Sequence, residues 1–311
     1  NVTVGMDTHT YKMYFDVVSN STFSEIMSGW TYSSMEVGYC LLMKLTSLII
    51  DDYYFFQFVY AVIFNILFLK FIKDNTDNYF LAIVVFWGMG MYTLAFNIAR
   101  QMLSVAIVAN VWTALKYKKN MKALCGLFIA STIHTAAILF LAMYIIYILR
   151  RCKIIYVVPL IIVLVSVNYL KIIEIARKYI PRFKNYYSNS KEILDVGYVK
   201  IIWTIILIIS FVIIYMNNNR INFNKILLAR IYGIFSIVFV ATSIIGIYFN
   251  YFDRLGLFFE PFVIPLFEYS GGLIRTKSFR KLYYFSMGLC FIIYFLISCL
   301  RSSQYRYSVW F

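Results

Sequence analysis

The sequence predicts an all-α membrane protein with several transmembrane helices. Of its 311 residues, 62% are hydrophobic and only 14% are charged, whereas soluble domains carry roughly 25% charged residues. Apolar stretches recur along the chain and end at groups of lysine and arginine, a pattern typical of helices that cross a bilayer and end in basic loops. We therefore expect one polytopic membrane domain over residues 1–311, built as a helix bundle.

Two segments precede the first clear span. Residues 1–35 are polar and mixed in charge, which predicts a segment in water on the outer side of the membrane. Residues 36–50 form a short apolar stretch. Because a comfortable span needs ~20 residues, the sequence predicts an interfacial or re-entrant helix there.

The remaining pattern defines the spans and one long loop. Clear spans are predicted at residues 53–72, 79–97, 101–115, 154–170, 199–216, 226–249 and 282–300. Residues 171–198 are the longest internal polar stretch and are predicted to form an outer loop. Helical regularity should break within 255–267, because Glu260, Pro261 and Pro265 interrupt the apolar run there.

The apolar stretch 123–149 has basic residues at both ends and a polar notch at 131–135 in its middle. As one helix it would be about 40 Å long at 1.5 Å per residue, which exceeds the ~30 Å hydrocarbon core. Two half-helices broken near the notch would return both ends to the same side. The sequence therefore predicts a helix that is broken and turns back within the membrane.

The charge distribution predicts both partner class and orientation. A net charge of +15 would suggest nucleic acid as the partner of a soluble protein, but here the basic residues gather in short loops. That arrangement follows the positive-inside rule and predicts membrane lipids, and no nucleic acid, as partners. The predicted cytoplasmic loops are 70–73, 116–122, 150–153, 220–225 and 275–281. The segments then predicted to lie outside are residues 1–35, Arg100, the 171–198 loop and Arg254.

No motif indicates a metal or a nucleotide. The five cysteines form no CxxC pair and have no histidine at ligand spacing, and no P-loop, Rossmann, zincin or DxD pattern occurs. Buried thiols without a disulfide framework are the expected state. We therefore expect no metal site and no cofactor.

Isolated charges in apolar surroundings are candidate functional residues, because a charge at membrane depth is costly unless it is paired, hydrated or used. Arg100 lies at the outer end of two predicted spans, and Arg254 follows an apolar run on the outer side. Each guanidinium offers a planar fork of donors to phosphate or carboxylate, and Gln101 would share the ligand or cap the turn. Alternatively, Arg100 snorkels to headgroups and Arg254 pairs with Asp253 at the surface.

His134 lies within the polar notch of the broken stretch. An imidazole accepts or donates a proton near neutral pH, which suits general acid–base catalysis. The neighbouring hydroxyl side chains favour a wet cavity around it. The alternative is a neutral histidine that is bonded to a helix carbonyl.

Four further polar residues are candidate substrate contacts on the outer face. Asp7, Tyr11 and Glu36 carry groups that bond sugar hydroxyls, although Asp also commonly caps helices. Arg182 lies in the 171–198 loop, which is rich in Tyr, Arg and Lys. Loops of that length are usually functional or disordered, so we interpret this one as a lid over a polyanionic, amphipathic substrate, with a solvated linker as the alternative.

Five short segments carry a family resemblance in this order: VGMDTHTYKMYF at 4–15, EVGY at 36–39, RQ at 100–101, ASTIHTAA at 130–137 and DR at 253–254. In these segments and their order the chain resembles the EpsG family of Wzy-like proteins from capsule and exopolysaccharide clusters. Family members usually have one more helix ahead of the first segment, so we expect a leading helix to be missing. The second position of EVGY, often proline in the family, is Val37 here.

The resemblance implies a GT-C-like, Wzy-like bundle and a polysaccharide polymerase in the bacterial cytoplasmic membrane, with its active site facing outward. Such an enzyme moves a growing glycan from a polyprenyl diphosphate to a lipid-linked repeat unit, without metal or nucleotide. On that picture Arg100 and Arg254 bind the diphosphate, His134 is the base or orients the acceptor, and Asp7, Tyr11 and Glu36 contact sugar. A chain-length regulator and a flippase of the same pathway would be partners.

Three other functions remain open from the sequence. A ligase of the O-antigen type would use the same donor and the same diphosphate site. A flippase or transporter of lipid-linked oligosaccharide would need alternating access and no histidine chemistry. A membrane O-acetyltransferase also uses an intramembrane histidine, but no second motif supports it.

Overall fold

The computed structural model describes residues 7–29, 35–149, most of 206–216, 223–246 and 250–301. Every regular element in these ranges is a helix, which confirms the all-α prediction. The predicted span 154–170 and the predicted 171–198 loop with Arg182 lie outside the described residues.

The chain divides into two compact units. The first contains residues 1–142 and 286–311, and the second contains residues 143–285. That they form one membrane domain stays a prediction.

The first unit begins with three short helices. Helix α1 (Thr8–Asn20) buries Tyr11, Phe15 and Val18, which share one face at helical spacing. Helix α2 (Phe23–Ser28) starts with a capping box between Thr22 and Glu25. Helix α3 (Val37–Ser47) has 11 residues and is too short to cross a bilayer, as predicted. The segment predicted to be a polar outer stretch is therefore helical and has a packed face.

Helix α4 (Tyr53–Asn75) is the first long helix, and its 23 residues extend about 35 Å at 1.5 Å per residue. Asp52 caps its start by accepting a hydrogen bond from the Phe55 backbone N–H at 2.9 Å. One face, formed by residues such as Phe56, Phe64 and Phe68, is buried in the unit. The opposite face exposes large apolar side chains, as a lipid-facing surface does.

The predicted span 79–97 is bent. Helices α5 (Tyr79–Gly88) and α6 (Met91–Asn97) meet at an angle of 45°. Gly90 separates them with a φ of 79°, a left-handed conformation that costs glycine little and other residues more. The bend is therefore built into the backbone at one residue.

Helix α7 (Ala99–Lys116) forms the centre of the first unit. It is buried on nearly all sides and packs against α4 and against α8 (Asn120–Ile133). A 3-10 helix (Thr135–Phe140) and α9 (Leu141–Leu149) follow α8 after a single extended residue.

The second unit contains α10 (Phe223–Gly246), α11 (Asn250–Gly256), a 3-10 turn (Glu260–Phe262) and α12 (Val263–Gly272). Its described core is aromatic, with Tyr232, Phe235 and Phe262 all buried. The predicted interruption occurs at Glu260 and Pro261. The prediction is wrong for Pro265, because this residue lies in the first turn of α12, where a missing N–H breaks no helical hydrogen bond.

Helix α13 (Lys277–Arg301) is the last described helix, and its residues are divided between the two units. Three described helices are long and apolar enough to cross a membrane: Tyr53–Asn75, Ile226–Gly246 within α10, and Lys277–Ile297 within α13. The bent pair α5–α6 makes a fourth if it is one span. The chain is a polytopic membrane protein.

Candidate active site

A break in the backbone presents the imidazole of His134. Helix α8 ends there, and His134 itself is extended, with φ −150° and ψ 114°. Its backbone N–H still donates to the Ala130 carbonyl at 2.9 Å, so α8 keeps its last hydrogen bond. The predicted break in 123–149 is confirmed. That the two halves return to the same side stays a prediction.

Glu36 occupies the N-cap position of α3, but its side chain makes no capping hydrogen bond. Its carboxylate instead contacts residues of α7 and of the segment after α8. Gly38 explains why α3 reaches α8. A Cβ at Gly38 would lie 2.4 Å from Thr132 Oγ1 and 2.8 Å from the Thr132 backbone, so only glycine allows this approach.

Arg100 lies in the first turn of α7 and forms an ion pair with Glu36. The distance between its Nη1 and Glu36 Oε2 is 2.5 Å, and the two side chains are 24% and 17% exposed. Partial burial weakens screening by solvent, so this pair is stronger than an ion pair at a free surface. Arg100 is thus held in place by a carboxylate.

The second oxygen of the same carboxylate binds His134. The distance between His134 Nδ1 and Glu36 Oε1 is 3.0 Å, and the Thr135 backbone N–H donates to the same oxygen at 3.2 Å. An ionised carboxylate only accepts hydrogen bonds, so Nδ1 must carry the proton. A neutral His134 then has its basic lone pair on Nε2.

The surroundings keep Glu36 ionised. Burial by itself would raise the pKa of this carboxyl, but the hydrogen bond from His134 and the charge of Arg100 lower the pKa to about 2. The carboxylate is therefore negative at neutral pH.

Tyr11 of α1 completes the cluster around Arg100. The phenol is buried and accepts a hydrogen bond from the guanidinium, and burial raises its pKa despite the nearby positive charge. Its ring also packs against Tyr39, with ring centroids 5.9 Å apart. Asp7 is at the N-cap position of α1, makes no side-chain capping bond and adds negative charge near Tyr11.

The structure thus brings together four residues that the sequence analysis selected: Tyr11, Glu36, Arg100 and His134. Gln101 follows Arg100 but is only 4% exposed, which places its side chain in the packed interior. Arg254 is exposed on α11 and belongs to the second unit. Arg182 lies outside the described residues.

Two features of the cluster were not predicted from the sequence. Glu36 was expected to contact sugar, whereas in the structure its carboxylate joins Arg100 to His134. One signal was present, because Glu36 is the only acidic residue between Glu25 and Asp51 and stands directly before an apolar stretch. The second feature is Gly38, for which the sequence pattern indicated no role.

The arrangement is suited to proton transfer beside an anion. Glu36 orients the imidazole of His134, which can then act as a base. The guanidinium of Arg100 lies beside the same carboxylate and can bind a negatively charged group. Glu36 and His134 are both potential metal ligands, but no three His, Cys, Asp or Glu side chains in the described ranges are grouped to hold a metal.

The comparisons with known proteins identify the family. The family model described as EpsG family matches residues 1–310. No curated protein and no solved structure matches the chain. The family match covers the whole cluster and nearly the whole sequence, and the helices agree with a membrane protein. The chain therefore belongs to the EpsG family, a family of polysaccharide polymerases.

Proposed function

We propose that this protein polymerises a lipid-linked oligosaccharide on the outer face of the bacterial cytoplasmic membrane. The donor is a growing glycan on a polyprenyl diphosphate, and the acceptor is a second lipid-linked repeat unit. The observation that carries the proposal is the Glu36 carboxylate, which holds a base and a cation on its two oxygens. Family membership supports the reaction class.

In the proposed reaction a hydroxyl oxygen of the acceptor attacks the anomeric carbon of the donor sugar. The new glycosidic bond forms as the bond from that carbon to the diphosphate oxygen breaks, so the anomeric centre inverts. The hydroxyl proton passes to Nε2 of His134, and the electron pair leaves with the polyprenyl diphosphate. Glu36 stabilises the imidazolium that forms, because its negative charge lies beside Nδ1.

Arg100 supplies the positive charge for the leaving group. A diphosphate carries more negative charge than one carboxylate, so it competes for the guanidinium that Glu36 holds in the structure. Arg254 and Arg182 are proposed as further diphosphate contacts, and Asp7 as a contact to sugar. Both oxygens of Glu36 and the phenol of Tyr11 bond to protein groups, which favours positioning roles for these two residues.

The charge of Arg100 provides the test. In cells that depend on this protein for polymer, Arg100→Ala should reduce polymer by about 100-fold or more, as expected when a preorganised charge donor is lost. Lipid-linked single repeat units should accumulate. The matched control is Lys70→Ala, which removes a cation whose 2.6 Å pair with Asp74 is exposed. Polymer of normal amount and length in the Arg100→Ala strain would overturn the proposal.

Product analysis separates the competing functions. A ladder of repeats made by the purified protein in detergent supports a polymerase. A single unchanged block on a new acceptor would instead indicate a ligase, and movement of lipid-linked sugar without any new bond would indicate a flippase. Either of these results would overturn the proposed reaction.

A further inference from the structure

A polar groove lies in the first unit. It has a volume of about 300 Å³ and lies between α1 and the turn that leads into α4. Charged and aromatic groups line it, including Lys12, Asp16, Asp51, Asp52, Tyr53 and Tyr54.

We propose that this groove binds sugar residues of the lipid-linked substrate and selects saccharides that are neutral or carry amino groups over those that carry carboxylates. The inference rests on the proposed function, because it assigns the substrate of the same site. It adds a binding site and a charge preference that the reaction itself does not require.

The lining has the chemistry of a saccharide site. Carboxylates accept hydrogen bonds from sugar hydroxyls, and tyrosine rings offer flat apolar faces with a polar edge. Tyr53 is a fixed wall of the groove. It is 5% exposed, its hydroxyl donates to the Thr8 carbonyl at 3.2 Å, and its ring centroid is 5.9 Å from that of Phe15.

The charge of the groove sets the preference. Three of the chain's 14 acidic residues line it beside Lys12, and Lys44 donates to the carbonyl of the lining residue Ser19 at 2.7 Å. With three carboxylates and two ammonium groups the groove still has a net negative charge, in a protein whose net charge is +15. Asp16 and Asp51 form no ion pair with another described residue, and both are exposed. These charges attract an ammonium group and repel a uronate, which makes the groove selective.

Helix α1 contributes residues both to the groove and to the cluster around Arg100. Tyr11, which contacts Arg100, directly precedes Lys12 of the groove. Asp16 follows five residues later, about 7.5 Å along the helix axis at 1.5 Å per residue. In this proposal the diphosphate of one oligosaccharide lies at Arg100 and its sugars lie along α1 in the groove. The groove carboxylates are not grouped as a metal site among the described residues, which favours the saccharide.

The test measures binding without catalysis. Full-length protein in nanodiscs is titrated with three soluble tetrasaccharides of matched length: tetraglucosamine, tetra-N-acetylglucosamine and tetragalacturonate. The first two should bind at least tenfold more tightly than the third, the effect expected when two exposed carboxylates repel an anionic ligand. The double variant Asp16→Asn with Asp51→Asn should lose that discrimination. Asp74→Asn, which alters a carboxylate paired with Lys70, should keep it.

The outcomes distinguish this inference from the proposed function. The groove assignment is overturned if none of the probes binds, if tetragalacturonate binds as well as the others, or if calcium binds and the sugars do not. In each of these cases the proposed reaction still stands if polymer formation depends on Arg100. If the discrimination is present and depends on Asp16 and Asp51, the saccharide site stands even where Arg100→Ala still makes polymer and the proposed reaction fails.

Discussion

Glu36 Oε1 accepts a hydrogen bond from His134 Nδ1 at 3.0 Å, although 98 residues separate the two in the sequence. The contact depends on two local features, the end of α8 at His134 and the close approach of α3 at Gly38. It also fixes which imidazole nitrogen is basic.

Replacing Glu36 by glutamine should disable the site and change the acid stability of the protein. The amide keeps the shape but loses the charge that stabilises the imidazolium and holds Arg100, so polymer formation should fall at least tenfold. A pKa near 2 instead of 4.5 contributes at most about 3 kcal/mol of stability. Because the folded pKa is the lower one, that contribution is complete above pH 4.5 and is lost as the pH falls toward 2.

Thermal unfolding in detergent between pH 7 and pH 3 measures this contribution. The wild type should lose more stability than Glu36→Gln over that interval. Asp51→Asn is the control, because Asp51 is exposed and forms no ion pair with another described residue. Parallel pH curves for wild type and Glu36→Gln would contradict the assigned role of the ion pair.

Replacing His134 by alanine should abolish the ladder of repeats without unfolding the protein. Loss of a general base typically costs 100- to 10,000-fold in rate, whereas the imidazole is 24% exposed and contributes little to the core. Ser131→Ala serves as the control, because among the described residues its hydroxyl bonds only to the Phe128 carbonyl of its own helix, at 2.8 Å. Normal polymer from His134→Ala protein would remove the proton-transfer role.

A methyl group at Gly38 should separate the two halves of the site. In Gly38→Ala the new Cβ would lie 2.8 Å from backbone atoms of Thr132, and a backbone cannot rotate away as a side chain does. We expect a loss of roughly 1–3 kcal/mol in stability and a larger loss of polymer. The comparison is Gly288→Ala, whose Cβ would meet Val84 at 4.0 Å, an ordinary contact. Equal effects of the two substitutions on polymer would show that the approach of α3 to α8 is unimportant.

The sequence predicted the candidates at this site but not their connections. Arg100 and His134 were visible because each is polar within an apolar run, and the break near His134 followed from length and flanking charge. Hydrophobic periodicity shows which face of a helix is buried, not which distant residue meets it, so the link through Glu36 was invisible. The packed face of α1 was not predicted because Lys12 directly follows Tyr11 and Asp16 directly follows Phe15. These charged residues make the segment polar on average and obscure the helical spacing of its apolar residues.

Glu260 provides a last prediction, because its carboxyl is buried without a hydrogen bond at one oxygen. The side chain is 4% exposed, and Oε2 has no partner among the described residues. Burial, aided by the negative charge of Asp253, raises the pKa of this group well above 4.5. The folded state therefore favours the protonated form, and stability should fall as the pH rises above 4.5 toward the folded pKa.

Glu260→Gln keeps the volume and cannot ionise, so its thermal stability should fall less than that of the wild type between pH 5 and pH 9. A steeper decline in the variant would show that the carboxylate is the stable form.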